Sequence, residues 1–167
     1  LKSIPNPRIV LWDANFAKII SAQALEQNKS NYDIKITGKN IFLKTVFDEL
    51  QHKSGGRIAL ISNSFLNYLK SFAVFSADFL PLATEKEDTD LISKWRLTTK
   101  GATEDVDYFR GTGDFEIILF CYRTINQPII ILSNDTEIRD IVRQFKTNRV
   151  LTNVNVYALD NDLRLAA

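Results

Sequence analysis

Four acidic residues lie where the sequence predicts that a helix or strand begins or ends. Asp13 and Asp135 each follow a run of apolar residues that predicts a buried strand. Glu49 lies late in a predicted helix, and Asp114 opens another. Because a parallel sheet gathers the carboxyl ends of its strands at one edge, we expect the four carboxylates to share a site.

A shared acidic site predicts divalent metal chemistry. Clustered carboxylates repel one another, and burial alone would protonate some of them. Ligand sets made only of oxygen select Mg²⁺ or Mn²⁺, which can activate water and stabilise phosphoryl displacement. The chain has one histidine, His52, and one cysteine, Cys121. This composition argues against a zinc site built from several histidines, and a Ser-His-Asp triad could form only around His52.

Two elements must position the first pair of acids. Residues 8–12 and 129–132 read as strands buried on both faces, and apolar residues at helical spacing follow each of them. This pattern predicts an α/β fold with three layers, α/β/α, around a mainly parallel, Rossmann-like sheet of about five strands. Asp135 could also be a helix N-cap. Asn134 could cap instead, with Glu137 closing a capping-box-like exchange, which would free Asp135 to face the groove.

The remaining elements are predicted from shorter patterns. Asn40 is expected to cap the helix that carries Glu49, and an alternating pattern predicts a last strand at the sheet edge. The other predictions are a strand at 33–37, a long helix at 58–72, a loop at 85–90, a mobile loop at 98–113, the last strand at 154–158 and a tail at 160–167.

Composition bounds the class of protein. The 167 residues, 45% of them hydrophobic, fit a single domain with a sizeable core, and the absence of methionine suggests a domain excised from a longer protein. A net charge of +1 predicts no general attraction to nucleic acid or membrane. No apolar run reaches the length of a membrane span. The lone cysteine suggests a reducing compartment, cytoplasmic or nuclear.

An ordered set of short motifs resembles the PIN domain family, and most closely the SMG-type PIN nucleases of nonsense-mediated mRNA decay. The set covers most of the chain. It consists of Val-Leu-Trp-Asp-Ala-Asn at 10–15, Phe-Asp-Glu-Leu at 47–50 before a Gly55-Gly56 turn, Leu-Thr-Thr-Lys-Gly at 97–101, Asp114 before an apolar helix, and Leu-Ser-Asn-Asp-Thr-Glu-Ile-Arg at 132–139.

The resemblance implies a PIN fold and a metal-dependent endoribonuclease that acts on single-stranded RNA. Carried over by position, Asp13, Asp114 and Asp135 would be the main catalytic and metal-binding acids, with Glu49 in support. Glu116 lies close enough in the sequence to compete with Asp114 for its place. Partner proteins would be other RNA-decay factors or helicases.

RNA binding would need a basic rim and surfaces on which bases stack. Five cations lie near the predicted acid-bearing ends and are candidates for phosphate contacts: Lys53, Arg57, Lys100, Arg110 and Arg139. Tyr108 and Phe109 are candidates for stacking, whereas Trp12 lies within a predicted strand and is expected in the core.

Two other functional classes stay open. The domain could be a PIN module with little or no activity that serves as a protein-binding platform, as the near-neutral charge and the irregular stretch at 73–113 suggest. It could also be another Rossmann-like protein, a phosphohydrolase or a phospho-receiver. An aspartate-nucleophile phosphohydrolase needs a second acid where this chain has Asn15, and a receiver needs a lysine after a late strand, where candidates are poor.

Overall fold

The computed structural model describes residues 8–26, 37–51, 61–148, 151–160 and 165–166. Within these ranges, six strands form one sheet in the order β3-β2-β1-β4-β5-β6. The strands are β1 (Ile9–Trp12), β2 (Lys39–Phe42), β3 (Ala73–Phe75), β4 (Ile129–Leu132), β5 (Val154–Leu159) and β6 (Leu165–Ala166). The strands from β3 to β5 pair in parallel, and β6 pairs antiparallel with β5.

The central strands β1 and β4 are neighbours, with Trp12 opposite Leu132. All four residues of each strand are buried, which requires that helices cover both faces of the sheet. The prediction of a three-layer, Rossmann-like α/β fold with a mainly parallel sheet of about five strands is therefore confirmed. The strand order reverses between β1 and β4, and such a point opens a crevice at the carboxyl ends of the strands.

The helices bury apolar faces against this sheet and against one another. They are α1 (Ala14–Glu26), α2 (Lys44–Gln51), α3 (Asn63–Lys70), α4 (Glu85–Trp95), α5 (Val106–Arg110), α6 (Gly113–Arg123) and α7 (Thr136–Thr147). In α7 the buried residues are Ile138, Ile141, Val142 and Phe145, the spacing of a single apolar stripe. None of the helices in the described ranges combines the length and the apolar character needed to cross a bilayer.

An aromatic cluster packs beside the central strands. The Trp12 ring stacks on Phe42 with centroids 5.2 Å apart, and Phe42 stacks on Phe75 at 4.7 Å. Trp12 is 1% exposed, so its predicted place in the core is confirmed. The prediction that Asn40 caps a helix is wrong. Asn40 lies within β2 and its side-chain oxygen accepts a 3.0 Å hydrogen bond from the Trp12 indole, so a polar residue completes this apolar cluster.

The predicted loop at 85–90 is also wrong, because these residues form the first half of α4. Thr84 begins the helix with a capping box. Its hydroxyl accepts from the Glu87 N–H, and the Glu87 carboxylate accepts from the Thr84 N–H. The acids Glu85, Glu87 and Asp88 lie in the first turn, where the helix dipole favours negative charge.

Four further predictions need correction or fall outside the described chain. The expected long helix begins at Asn63, after the N-cap Ser62. β5 is not the edge strand, because β6 pairs with it within the expected tail. The predicted mobile loop at 98–113 contains turns and α5. Residues 52–60 and 33–36 lie outside the described residues, and with them most of the predicted strand at 33–37.

A compact turn joins α4 to this region. The Thr98 hydroxyl donates to the Trp95 carbonyl at 2.6 Å and accepts from the Gly101 N–H at 3.0 Å. A Cβ atom at Gly101 would lie 1.8 Å from the Trp95 carbonyl oxygen. Any side chain at this position would therefore overlap the Trp95 backbone. At Gly111 the nearest atom would be 3.5 Å away, an ordinary contact.

We therefore expect Gly101→Ala to destabilise the protein by about 1–3 kcal/mol or more, because the added methyl group must displace backbone. In a domain of this size, 1 kcal/mol lowers Tm by about 2–4 °C. Thermal unfolding followed by circular dichroism measures the change. Gly111→Ala is the matched control, and its Tm should stay the same or rise slightly. Equal Tm values for the two variants would contradict the tight turn.

Candidate metal centre at the carboxyl edge of the sheet

Asp13 and Asp135 reach the same crevice from neighbouring strands. The Asp13 N–H donates to the Leu132 carbonyl at 2.9 Å, which continues the pairing of β1 with β4 by one residue. Ser133, the first residue after β4, is fully buried, and its hydroxyl donates to Asp13 Oδ2 at 2.6 Å. The same hydroxyl accepts from the Asp135 N–H at 3.0 Å. One serine therefore holds both acid-bearing strand ends together.

Asp13 is the most deeply placed of the acids, with 5% of its surface exposed. Burial raises the pKa of its carboxyl group from the ordinary 3.8 to about 6, against the lowering effect of the Ser133 hydrogen bond. The negative charges of Glu49 and Asp135 raise the same pKa further. The ionised form of Asp13 thus lacks the positive charge that would stabilise it.

Asp135 is both the N-cap of α7 and a site residue. Its Oδ1 accepts from the Glu137 N–H at 2.9 Å. The expectation that Asn134 takes the cap is wrong. The Asn134 amide instead binds the backbone of Leu159 in β5, donating to its carbonyl and accepting from its N–H. Asp135 nevertheless lines the pocket, because capping engages one of its two oxygens.

Asp114 and Glu49 come from α6 and α2. The Thr112 hydroxyl caps α6 by accepting from the Phe115 N–H, so Asp114 is not needed as a cap. Burial raises the pKa of Asp114 well above its ordinary value, and the charges of Asp13 and Asp135 raise it further. Glu49 accepts from the Gly113 N–H at 3.0 Å.

Gly113 favours this contact, because a Cβ atom there would lie 3.2 Å from both Glu49 carboxylate oxygens, a tight approach. Burial raises the pKa of Glu49, while the Gly113 hydrogen bond and the charge of Lys18 lower it. Glu116, the competitor of Asp114 in the sequence, lies elsewhere. It is buried, and its carboxylate accepts from the N–H and the hydroxyl of Thr45, which ties α6 to α2.

Glu137 is a site residue that the sequence patterns did not reveal. Its Oε1 accepts from the Trp95 indole at 3.2 Å, and its Oε2 accepts from the Lys100 ammonium at 2.9 Å. One carboxylate oxygen from each of Asp114, Asp135 and Glu137 lies within 4.8 Å of the others. The predicted capping-box role of Glu137 is wrong, because its carboxylate accepts from Trp95 and Lys100 instead. Its position two residues after Asp135 was the only signal that it could reach the site.

Two lysines accompany the acids. The hydrogen bond to Glu137 raises the pKa of the Lys100 ammonium, and the charges of Asp135 and Asp114 add to the effect. Lys18 of α1 lines the same pocket and was not predicted. These two ammonium groups offset part of the negative charge of the cluster.

The acids share one open pocket of about 250 Å³. All four predicted acids line it, together with Glu137 and Glu104. Tyr108 also lines it and is 67% exposed, so its ring is available for stacking. Phe109 is 3% exposed and stacks on Trp95 with centroids 4.3 Å apart, so the expected stacking role does not suit it.

The predicted basic rim is only partly gathered at the pocket. Lys100 lines it. Arg110 does not, and its guanidinium binds the carboxylates of Asp88 and Asp107. Arg139 lines a different groove, between α7 and β5. Lys53 and Arg57 lie outside the described residues, as does His52.

The donor set suits a hard divalent cation. The ligand atoms are carboxylate oxygens, which Mg²⁺ and Mn²⁺ prefer. Asp114, Asp135 and Glu137 are close enough to bind one ion together, and Asp13 and Glu49 line the same pocket. Burial, and after it the charges of the neighbouring carboxylates, raises the pKa values of Asp13 and Asp114, so a bound cation would stabilise their ionised forms.

Comparisons with known proteins add no identity to this geometry. The chain matches no family model, no curated protein and no solved structure.

Proposed function

We propose that this chain is a PIN-type, Mg²⁺- or Mn²⁺-dependent endoribonuclease that hydrolyses phosphodiester bonds of single-stranded RNA. One observation carries the proposal. Asp13, Glu49, Asp114 and Asp135 come from four separate parts of the chain and line a single pocket at the reversal point of the sheet. The sequence resemblance to PIN nucleases assigns the same four residues to the metal site.

The described residues suit distinct tasks in such a reaction. A divalent ion, when bound, supplies an activated water and stabilises an in-line phosphoryl displacement. Asp114, Asp135 and Glu137 would hold it, with Asp135 fixed by its cap and Glu137 by the Trp95 indole. Asp13, which lines the same pocket, can accept and return a proton at its carboxylate.

Substrate contacts would come from the cations and the aromatic side chain of the pocket. Lys18 and Lys100 can attract a phosphate into an otherwise acidic pocket, and the Tyr108 ring can stack on an unpaired base. The proposed location is the cytoplasm or the nucleus, reducing compartments that suit the single thiol of Cys121, which is buried.

A second candidate function is a platform that binds RNA-decay or helicase proteins without cleaving RNA. Exposed apolar side chains before α4 favour it, because Phe79 is 60% exposed and Leu82 is 94% exposed. A pulldown from cell extract with the parent and with a Phe79→Ser/Leu82→Ser variant tests this candidate. The platform candidate fails if the domain cleaves RNA in a metal-dependent reaction and the pulldown captures no partner whose binding depends on Phe79 and Leu82.

Asp114→Asn should lower the rate of RNA cleavage by roughly 100-fold or more, since even residues behind the metal ligands change activity by about 10–100-fold. The measurement is single-turnover cleavage of a labelled single-stranded RNA in Mn²⁺. Asp78→Asn, a change of the same chemistry at an exposed position, is the matched control and should cleave like the parent. Cleavage by Asp114→Asn at the parental rate would refute the nuclease proposal.

The same variant should raise the stability of the metal-free protein. In a group with a raised folded pKa, stability is greatest below the unfolded pKa and declines as pH rises through the folded pKa. The pKa of Asp114 is raised by burial, so the parent should lose stability relative to Asp114→Asn as pH rises above the ordinary carboxyl pKa of 3.8. Each 1 kcal/mol appears as about 2–4 °C in Tm.

Thermal scans in EDTA and in Mn²⁺ measure both effects. Mn²⁺ should raise the Tm of the parent, because an ion bound by the folded state stabilises that state. Asp114→Asn should lose most of this gain, and Asp78→Asn should behave like the parent. A variant that is less stable than the parent in EDTA at every pH would show that the Asp114 carboxylate stabilises the fold.

Tyr108→Ala should weaken RNA binding, because a base stacked on an aromatic ring contributes about 1–3 kcal/mol by alanine substitution. Fluorescence anisotropy with a labelled single-stranded RNA in EDTA measures the affinity. Tyr108→Phe keeps the ring and should bind like the parent. If Tyr108→Ala and Tyr108→Phe bind equally well, the ring takes no part in binding.

A further inference from the structure

A second groove lies between α7 and β5, outside the acidic pocket. Its volume is about 360 Å³. Val142 and Val156 supply apolar lining, and Arg139, Arg143 and Lys146 supply basic lining. We call these three cations the α7 stripe.

The α7 stripe follows one face of the helix. Its members are four and three residues apart, the spacing at which helical side chains are neighbours. At a rise of 1.5 Å per residue, the first and last members are about 10 Å apart along the axis. A row of cations on this scale suits a ligand with repeated negative charges.

Intramolecular contacts neutralise the positive charge of the α7 stripe only in part. Arg143 bonds to Asp140 at 3.1 Å, but both side chains are exposed, with 66% and 38% of their surfaces accessible. Exposed pairs of this kind contribute little to stability. Lys146 donates to the neutral side chain of Asn155 at 2.9 Å, which leaves its positive charge unpaired by that contact. In a chain with a net charge of +1, this is a local concentration of positive charge.

The stripe leads away from the acidic pocket. Asp135, which lines that pocket, is the N-cap of α7. Arg139 follows it four residues later, at a spacing that places the two residues on the same side of the helix. The N-terminus of α7 thus lies at the pocket, and the stripe begins four residues further along the same helix.

We propose that the α7 stripe binds the phosphate backbone of single-stranded RNA whose scissile bond lies in the acidic pocket, an assignment that rests on the proposed function. Phosphate contacts of this kind position the strand without reading its sequence. The apolar lining beside the cations can accept sugar edges. Specificity for a base would come from the pocket and Tyr108, at the other end of the path.

The test measures RNA binding by fluorescence anisotropy, with the whole chain, labelled oligouridylate and EDTA to prevent cleavage. Arg143→Gln/Lys146→Gln removes the two exposed cations of the stripe. Lys39→Gln/Lys70→Gln removes the same charge from exposed positions on β2 and α3, in the opposite half of the sheet. Circular dichroism and Tm establish that each variant is folded.

The stripe variant should bind about tenfold more weakly at moderate salt, and its slope of log affinity against log salt should fall by about 1.4, as expected for two lost contacts to a single strand. The control should bind like the parent. Equal affinities for the two double variants would overturn the proposal. So would poly-glutamate binding as tightly as RNA with the same dependence on the stripe, because the groove would then be a site for acidic polypeptide.

Asp114→Asn separates this proposal from the nuclease proposal. It should bind RNA in EDTA at least as well as the parent while losing cleavage in Mn²⁺. If Asp114→Asn cleaves normally while the stripe variant still loses affinity, the nuclease assignment fails and the RNA path stands. If cleavage depends on Asp114 and affinity does not depend on the stripe, the path fails and the nuclease stands.

Discussion

The pairing of β1 with β4 is the constraint on which the candidate site depends. The two strands are more than a hundred residues apart in the chain, yet the Ser133 hydroxyl lies 2.6 Å from Asp13 Oδ2. A shift of one residue in register would turn every side chain to the opposite face. Both strands are apolar and buried on each face, so burial alone does not select the register. The observed register is the one in which the Asp13 N–H bonds the Leu132 carbonyl and the Ser133 hydroxyl bonds Asp13, and this pairing brings Asp13 to the end of β4.

The acidic site lowers the stability of the fold when no cation is bound. Burial and mutual repulsion raise the pKa values of Asp13 and Asp114, so the metal-free protein holds these acids in unfavourable surroundings. Lys100 and Lys18 relieve part of the repulsion, and Lys100 does so through a direct bond to Glu137. A cluster of like charges that lowers stability and is only partly neutralised by neighbouring side chains is typical of a site that binds a cation.

The parts of this site that the sequence could predict are those encoded locally. A buried strand followed by an acid and a helix is visible within ten residues, and it located Asp13 and Asp135. The partners of Glu137 are not visible in this way, because Trp95 and Lys100 reach it only after α4 packs against α7. The predicted helix-cap role of Asn40 is wrong for a related reason. Its side chain is matched to the Trp12 indole across the sheet, whereas its local sequence has the pattern of a helix cap.

Capping and metal binding are compatible roles for one carboxylate. Asp135 Oδ1 accepts from the Glu137 N–H, and this bond restricts the side-chain rotamer before any ion arrives. Asp13 is held in the same manner by Ser133. A ligand whose rotamer is already fixed loses less conformational entropy when it binds. The sequence alone offers two alternative roles for Asp135, helix cap and site residue. In the folded protein Asp135 has both roles, because the capping hydrogen bond makes it a rigid ligand.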